Sequence, residues 1–229
     1  MASEPCRTFF VTGTDTGVGK TLCSAALLQA LARRHARVVG MKPVAAGLVE
    51  HQGAMVSEDV LMLRAASTLS VPPTLDNPVA LPEPLSPHLA ARRAGRTVRV
   101  AELLAPARAL QAQADALVVE GAGGWRVPLN DDETLADFAK ALGAPVVLVV
   151  GLRLGCLNHA LLTAEAIRHD GLHLAGWIAN RIDPAMAAAD ENLDHLRAKL
   201  GAPLLGVVPW SAMPDPARIT LDLPEDFAR

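Results

Sequence analysis

Nine consecutive residues, Gly13-Thr14-Asp15-Thr16-Gly17-Val18-Gly19-Lys20-Thr21, constrain this chain more than any other segment. They follow a β-branched apolar run from Phe9 to Thr12 and precede an Ala/Leu-rich stretch in which Leu27, Leu28 and Leu31 fall on one face. The loop therefore joins a strand to a helix. Backbone N–H groups of such a turn converge at a helix N-terminus, where unpaired donors and the helix dipole favour phosphate oxygens. Lys20 is placed to reach β- and γ-phosphates, and the Thr21 hydroxyl to serve Mg²⁺. Gly17 and Gly19 let the backbone approach a ligand without a Cβ in the way. The usual spacing would put a glycine at Thr14; here Gly13 lies one residue upstream, so the loop is a variant.

The rest of the chain repeats the strand-then-helix alternation of a parallel sheet with crossover helices. Strand-like runs are Phe9 to Thr12, Val38 to Met41, Ala116 to Glu120, Val146 to Val150, Leu174 to Ala179 and Leu204 to Val208. Val146-Val147-Leu148-Val149-Val150 is apolar without alternation, as a strand covered on both faces requires. Helices are expected at about 19–34, 99–113, 134–142, 157–169 and 186–200. The expected fold is a P-loop α/β domain, one domain spanning 1–229, with a mainly parallel sheet flanked by helices on both faces. Residues 71–88 hold six prolines and read as ordered, extended surface chain with no regular central element. The Pro/Asp-rich tail from Pro214 reads as a loosely packed excursion.

Composition removes several function classes. An aromatic content of 3% without Tyr offers no stacking platform for single-stranded nucleic acid, and a net charge of -3 offers no basic stripe for a phosphate backbone. Three cysteines without CxxC spacing fit reduced thiols better than disulfides or a zinc ribbon. No apolar stretch reaches the length of a membrane span and the N-terminus lacks a signal core, so a cytoplasmic protein is expected.

Several further residues fall at strand ends, on the edge where ligands of such sheets bind. Lys42, in Gly40-Met41-Lys42-Pro43, is either a solvated charge or a group that offsets charge on a transferring phosphoryl. Asp59 is either a helix-start acid complementing the dipole or a Mg²⁺ ligand. Glu120, ending an apolar strand before Gly121-Ala122-Gly123-Gly124, reads as a second metal-side carboxylate beside a glycine turn. Asn158 is a helix N-cap or marks a terminus whose N–H groups receive a carboxylate. Asn180 and the turn Pro209-Trp210-Ser211 are loop residues or nucleobase contacts. The seven histidines show no metal-ligand spacing.

Taken together, Gly13 to Thr21, Gly40 to Pro43, Glu83-Pro84-Leu85-Ser86-Pro87-His88, Glu120 to Gly124, Val150 to Ala160, Leu174 to Trp177 and Val208 to Trp210 resemble the ATP-dependent dethiobiotin synthetases, in family order across almost the whole chain. That resemblance implies closure of the ureido ring of dethiobiotin from 7,8-diaminopelargonate, CO₂ and MgATP. It implies ATP contacts at Gly17, Val18, Gly19, Lys20, Thr21, Leu22, Asp59, Glu120, Gly121, Ala122 and Gly123, with Asn180, Arg181, Pro209, Trp210 and Ser211 around the adenine. Thr21, Asp59 and Glu120 would hold or flank Mg²⁺, and Lys20 and Lys42 would be catalytic. Thr16, Lys42 and position 46 would face the diamine, while Gly155, Cys156 and Asn158 would receive its carboxylate tail across a homodimer interface. Ala46 departs from the family, whose members often carry a hydroxyl residue there.

The loop of the ParA/MinD-like ATPases and of the nitrogenase iron protein carries an extra lysine where this chain has Asp15, which argues for chemistry on a small molecule. Two other classes share such a loop: an amidating synthase akin to the cobyrinate synthases, for whose glutaminase domain no chain length remains, and an ATP-switched partitioning protein, against which Asp15 and the acidic net charge weigh.

Overall fold

The computed structural model describes residues 5–224 and 227. In chain order the elements are β1 (Arg7–Gly13), α1 (Lys20–Ala32), β2 (Val38–Met41), β3 (Val44–Ala46), β4 (Val49–His51), β5 (Ala54–Val56), α2 (Glu58–Ala66), α3 (Pro73–Asp76) and β6 (Val79–Leu81). They continue with α4 (Pro87–Arg93), α5 (Val100–Gln111), β7 (Ala116–Glu120), α6 (Leu135–Leu142), β8 (Val146–Leu152), α7 (Cys156–His169), β9 (Leu174–Arg181), α8 (Ala189–Lys199) and β10 (Leu204–Val208).

Six strands form one sheet in the order β10-β9-β8-β1-β7-β2, every neighbouring pair parallel. These are the six runs expected from the sequence. Along β8, Val146, Leu148 and Val150 pack into one apolar cluster and Val147 and Val149 into the other, so the unbroken apolar run follows from burial on both faces. Leu27, Leu28 and Leu31 of α1 belong to the second cluster, whereas Leu135 and Phe138 of α6 belong to the first. The helices after the adjacent strands β1 and β7 thus leave toward opposite faces. A crevice opens at the carboxyl ends where the connections part, and it is there that open α/β sheets bind ligands.

Two expectations need correction. Residues 71–88 are not extended surface chain: Val79 and Leu81 of β6 are buried and pair in parallel with β3. The prolines there punctuate structure. Pro73 and Pro87 occupy the first turns of α3 and α4, where a missing N–H costs nothing. From Ile219 onward the described part of the tail is packed, not loose. Ile219, Leu221, Leu223 and Phe227 join the second cluster, Phe227 stacks on Phe9 at 4.5 Å, and Arg34 donates to the Leu223 carbonyl at 2.9 Å. Ile219, Leu221 and Leu223 recur every second residue, the period of an extended segment with one buried side.

Candidate active site

The glycine-rich loop leaves β1 and enters α1 through Gly19, whose φ of 82° and that of Gly17, 75°, lie in the left-handed region. A Cβ at Gly19 would sit 2.1 Å from Asn180 Nδ2, so only glycine fits there. No side chain caps α1, which leaves its first-turn donors to a ligand. Asp15 steadies the loop: its carboxylate accepts from the Thr16 N–H at 2.7 Å and pairs with Arg153 at the end of β8. That N–H bond, with Arg153, holds the Asp15 carboxyl below its usual range.

A cleft of about 670 Å³ lies over this loop. It is lined by Thr16, Gly17, Gly19, Lys20 and Thr21 of the loop and α1, by Lys42, Ala46 and Asp59, and by Glu120, Ala122 and Gly123. The segment Pro84 to Pro87, with Val44 and Val127, completes it. Ala46 is among the residues that line the cavity. The contributions of Val44 and Val127 escaped the sequence reading, because an apolar residue lining a site looks like any other core residue.

The polar centre of the cleft is one connected cluster. Thr21 Oγ1 is 2.8 Å from Asp59 Oδ1 and 2.9 Å from Glu120 Oε1. Lys42 Nζ sits 2.7 Å from Asp59 Oδ2 and 2.5 Å from Glu120 Oε1, and donates to the Gly121 carbonyl at 3.3 Å. Glu120 is wholly buried, and its Oε2 has no hydrogen-bond partner among the described residues. Asp59 enters from the first turn of α2, where the helix dipole also favours an acid.

Burial is the largest influence on Lys42 and works against its charge, yet Glu120 and Asp59 outweigh it and the ammonium is held above the ordinary lysine range. For Asp59 burial is again the largest influence, outweighed by Lys42, and its carboxyl falls below the ordinary range. Lys20 differs: burial, together with repulsion from Lys42, pulls it below the lysine range despite the nearby carboxylates. Its ammonium bonds the Asp15 carbonyl at 3.2 Å, folded back on its own loop.

Other expected residues do not line the cleft. Val18 is buried under the loop, and its carbonyl accepts from Asn180 Nδ2 at 2.9 Å, which ties the end of β9 to the loop. Leu22 packs on the second apolar cluster. Arg181 pairs with Asp190. Pro209, Trp210 and Ser211 follow β10 and are exposed, Trp210 at 51%. Gly155, Cys156 and Asn158 do not line the cleft. Gly155, in the left-handed region at φ 96°, is the N-cap of α7, while Asn158 lies in the first turn, which corrects its reading as the cap.

Comparison with known proteins places this arrangement in a lineage. A family model described as an AAA domain matches residues 7–218. The chain is 54% identical over 223 residues to the ATP-dependent dethiobiotin synthetase BioD of Aromatoleum aromaticum, covering 96% of this chain and 98% of that protein. It is 55% identical over 206 residues to the protein of the same name from Ralstonia nicotianae, covering 90% of each. Among solved structures, a ParA family ATPase from Chlorobium tepidum superposes with a TM-score of 0.56 at 16% identity, covering 91% of this chain and 86% of that one. The MinC:MinD cell division protein complex of Aquifex aeolicus gives 0.53 at 17% identity, covering 90% and 83%. These last two likenesses show the fold alone, and the chain belongs to the ATP-dependent dethiobiotin synthetase family.

Proposed function

We propose that the chain catalyses ATP-dependent formation of dethiobiotin from 7,8-diaminopelargonate and CO₂ or bicarbonate, as a cytoplasmic homodimer in which residues 1–229 form a single domain. The observation that carries this reading is the cluster of Lys42, Asp59, Glu120 and Thr21 at the mouth of the phosphate loop, in a chain more than half identical to proteins named for that reaction.

In the proposed sequence one amine of the diamine adds to CO₂ and loses a proton, giving a carbamate. A carbamate oxygen attacks the γ-phosphorus of ATP, ADP leaves, and a carbamic–phosphoric anhydride results. The second amine attacks the carbonyl carbon and loses a proton, the C–O bond to phosphate breaks, the ureido ring closes and inorganic phosphate departs. Charge is redistributed on oxygens throughout, so the chain's task is positioning and charge compensation. Lys20, unfolding from the Asp15 carbonyl, reaches the β- and γ-phosphates. Lys42 faces the γ-phosphoryl and carbamate oxygens, and Thr16 and Ala46 face the diamine.

The donor set fits Mg²⁺: Thr21, Asp59 and Glu120 would hold it, and the buried Oε2 of Glu120 is an acceptor with no partner among the described residues. When bound, the ion supplies charge neutralisation on the phosphates. Asn180, Arg181 and the Pro209 to Ser211 turn are proposed to flank the adenine, a placement supported by the Asn180 bond to the loop. Gly155, Cys156 and Asn158 are proposed to receive the tail carboxylate from the second protomer. Leu154, just before that turn, and Leu162, further along α7, are 94% and 55% exposed, apolar surface that a second protomer would cover. The test is ADP release with each component withheld in turn. The reading expects ADP only with diamine, bicarbonate and Mg²⁺ all present; equal release without the diamine would overturn it.

A further inference from the structure

Lys42 lies just past the end of β2, outside the ladder of the sheet, so something else must fix its main chain. Two consecutive residues distant in sequence do so. The Lys42 N–H donates to the Asp76 carbonyl at 2.7 Å, and the Lys42 carbonyl accepts from Asn77 Nδ2 at 2.7 Å. The same Nδ2 lies 3.3 Å from the Val79 carbonyl, so both neighbours of that group are acceptors and only the amide NH₂ can face them.

Asp76 is itself fixed. It is 3% exposed, and its carboxylate takes the Arg64 guanidinium in a two-pronged pair at 2.6 and 2.7 Å. Arg64 stands in the last turn of α2, the helix whose first turn carries Asp59. The chain of contacts closes on itself: Lys42 ammonium to Asp59, along α2 to Arg64, across to Asp76, and back through Asp76 and Asn77 to the Lys42 main chain. Neither Arg64, Asp76 nor Asn77 lines the cleft.

We infer that Asn77 is a positioning residue for Lys42, braced by the Arg64–Asp76 pair, so that the place of the ammonium over the reacting phosphoryl is set by residues that never touch substrate. The inference rests on the proposed role of Lys42 in the reaction. A lysine freed at its main chain can move by an ångström, and misplacement of that size costs up to about 10²-fold in rate.

The test is a double-mutant cycle in dethiobiotin formation. Asn77→Ala is expected to lower kcat by on the order of 10-fold with KM for ATP within about twofold of wild type. In a Lys42→Ala background the same change is expected to cost less than about twofold, because there is no ammonium left to position. Equal losses in both backgrounds, or a loss confined to KM for ATP, would overturn the inference. Should Asn77→Ala fail to fold, Arg64→Lys, at a half-buried site, breaks the fork and enters the same cycle with the same two readings. A Lys42→Ala enzyme that turns over at the wild-type rate would remove Lys42 from the mechanism and the positioning role with it, whereas equal losses sink the positioning role alone.

Discussion

Lys42 Nζ lies 2.5 Å from Glu120 Oε1 at the end of the neighbouring strand, and both side chains are almost completely buried. A buried carboxylate is tolerable only with a partner. Here the partner is the ammonium of Lys42, which lines the same cleft, so one contact serves the fold and would serve the proposed chemistry as well.

If Lys42 acts on developing charge and not on nucleotide binding, Lys42→Ala should lower turnover by about 10²–10³ while ATP still binds. Steady-state kinetics beside a direct ATP titration separate the two. Turnover at the wild-type rate would exclude the role.

Gly19→Ala would combine a left-handed backbone with a Cβ placed 2.1 Å from Asn180 Nδ2. A destabilisation of about 1–3 kcal/mol is expected from the backbone strain alone. ATP affinity should fall as well, since Asn180 must give way and the loop with it. Thermal melts with and without ATP check both, and a variant melting like wild type would show that the loop is not held as described.

Trp210 is half exposed after β10, while Trp125 and Trp177 are buried. If the turn it belongs to flanks the adenine, ATP should change tryptophan emission in the wild type and not in Trp210→Phe. An unchanged response in that variant would place the base elsewhere.

A stability prediction concerns α6. Thr134 and Asp137 form a reciprocal capping box, and the Thr134 hydroxyl chiefly holds the Asp137 carboxyl down at about 2. A depressed pKa means that the charge-dependent stabilisation is present above the unfolded value of 3.8 and is lost as pH falls from there toward 2. The side chain is 38% exposed, so solvent screening limits the effect to that of an ordinary cap. Asp137→Ala should cost about 1 kcal/mol in urea unfolding at neutral pH and less at acidic pH. A difference that stays constant with pH would contradict this.

The sheet was legible in the sequence because strands covered on both faces must be continuously apolar, as β8 is from Val146 to Val150. The phosphate loop was legible because its glycines and Lys20 answer to a backbone geometry with few solutions. Lys42, Asp59 and Glu120 were readable as strand-end and helix-start residues, but their convergence on Thr21 depends on how β2, α2 and β7 pack. Asn77 left no trace. Its bond to the Lys42 carbonyl joins a side chain to main chain across 35 positions, which produces neither periodicity nor motif. Proline density from 71 to 88 hid a buried strand, because prolines at helix starts look like breakers when counted without position.

The most direct measurement is mass spectrometry of the product formed by the purified protein from 7,8-diaminopelargonate, MgATP and ¹³C-labelled bicarbonate. The account predicts dethiobiotin carrying one labelled carbon, in amounts matching the ADP formed. ADP accumulating without labelled dethiobiotin would contradict it.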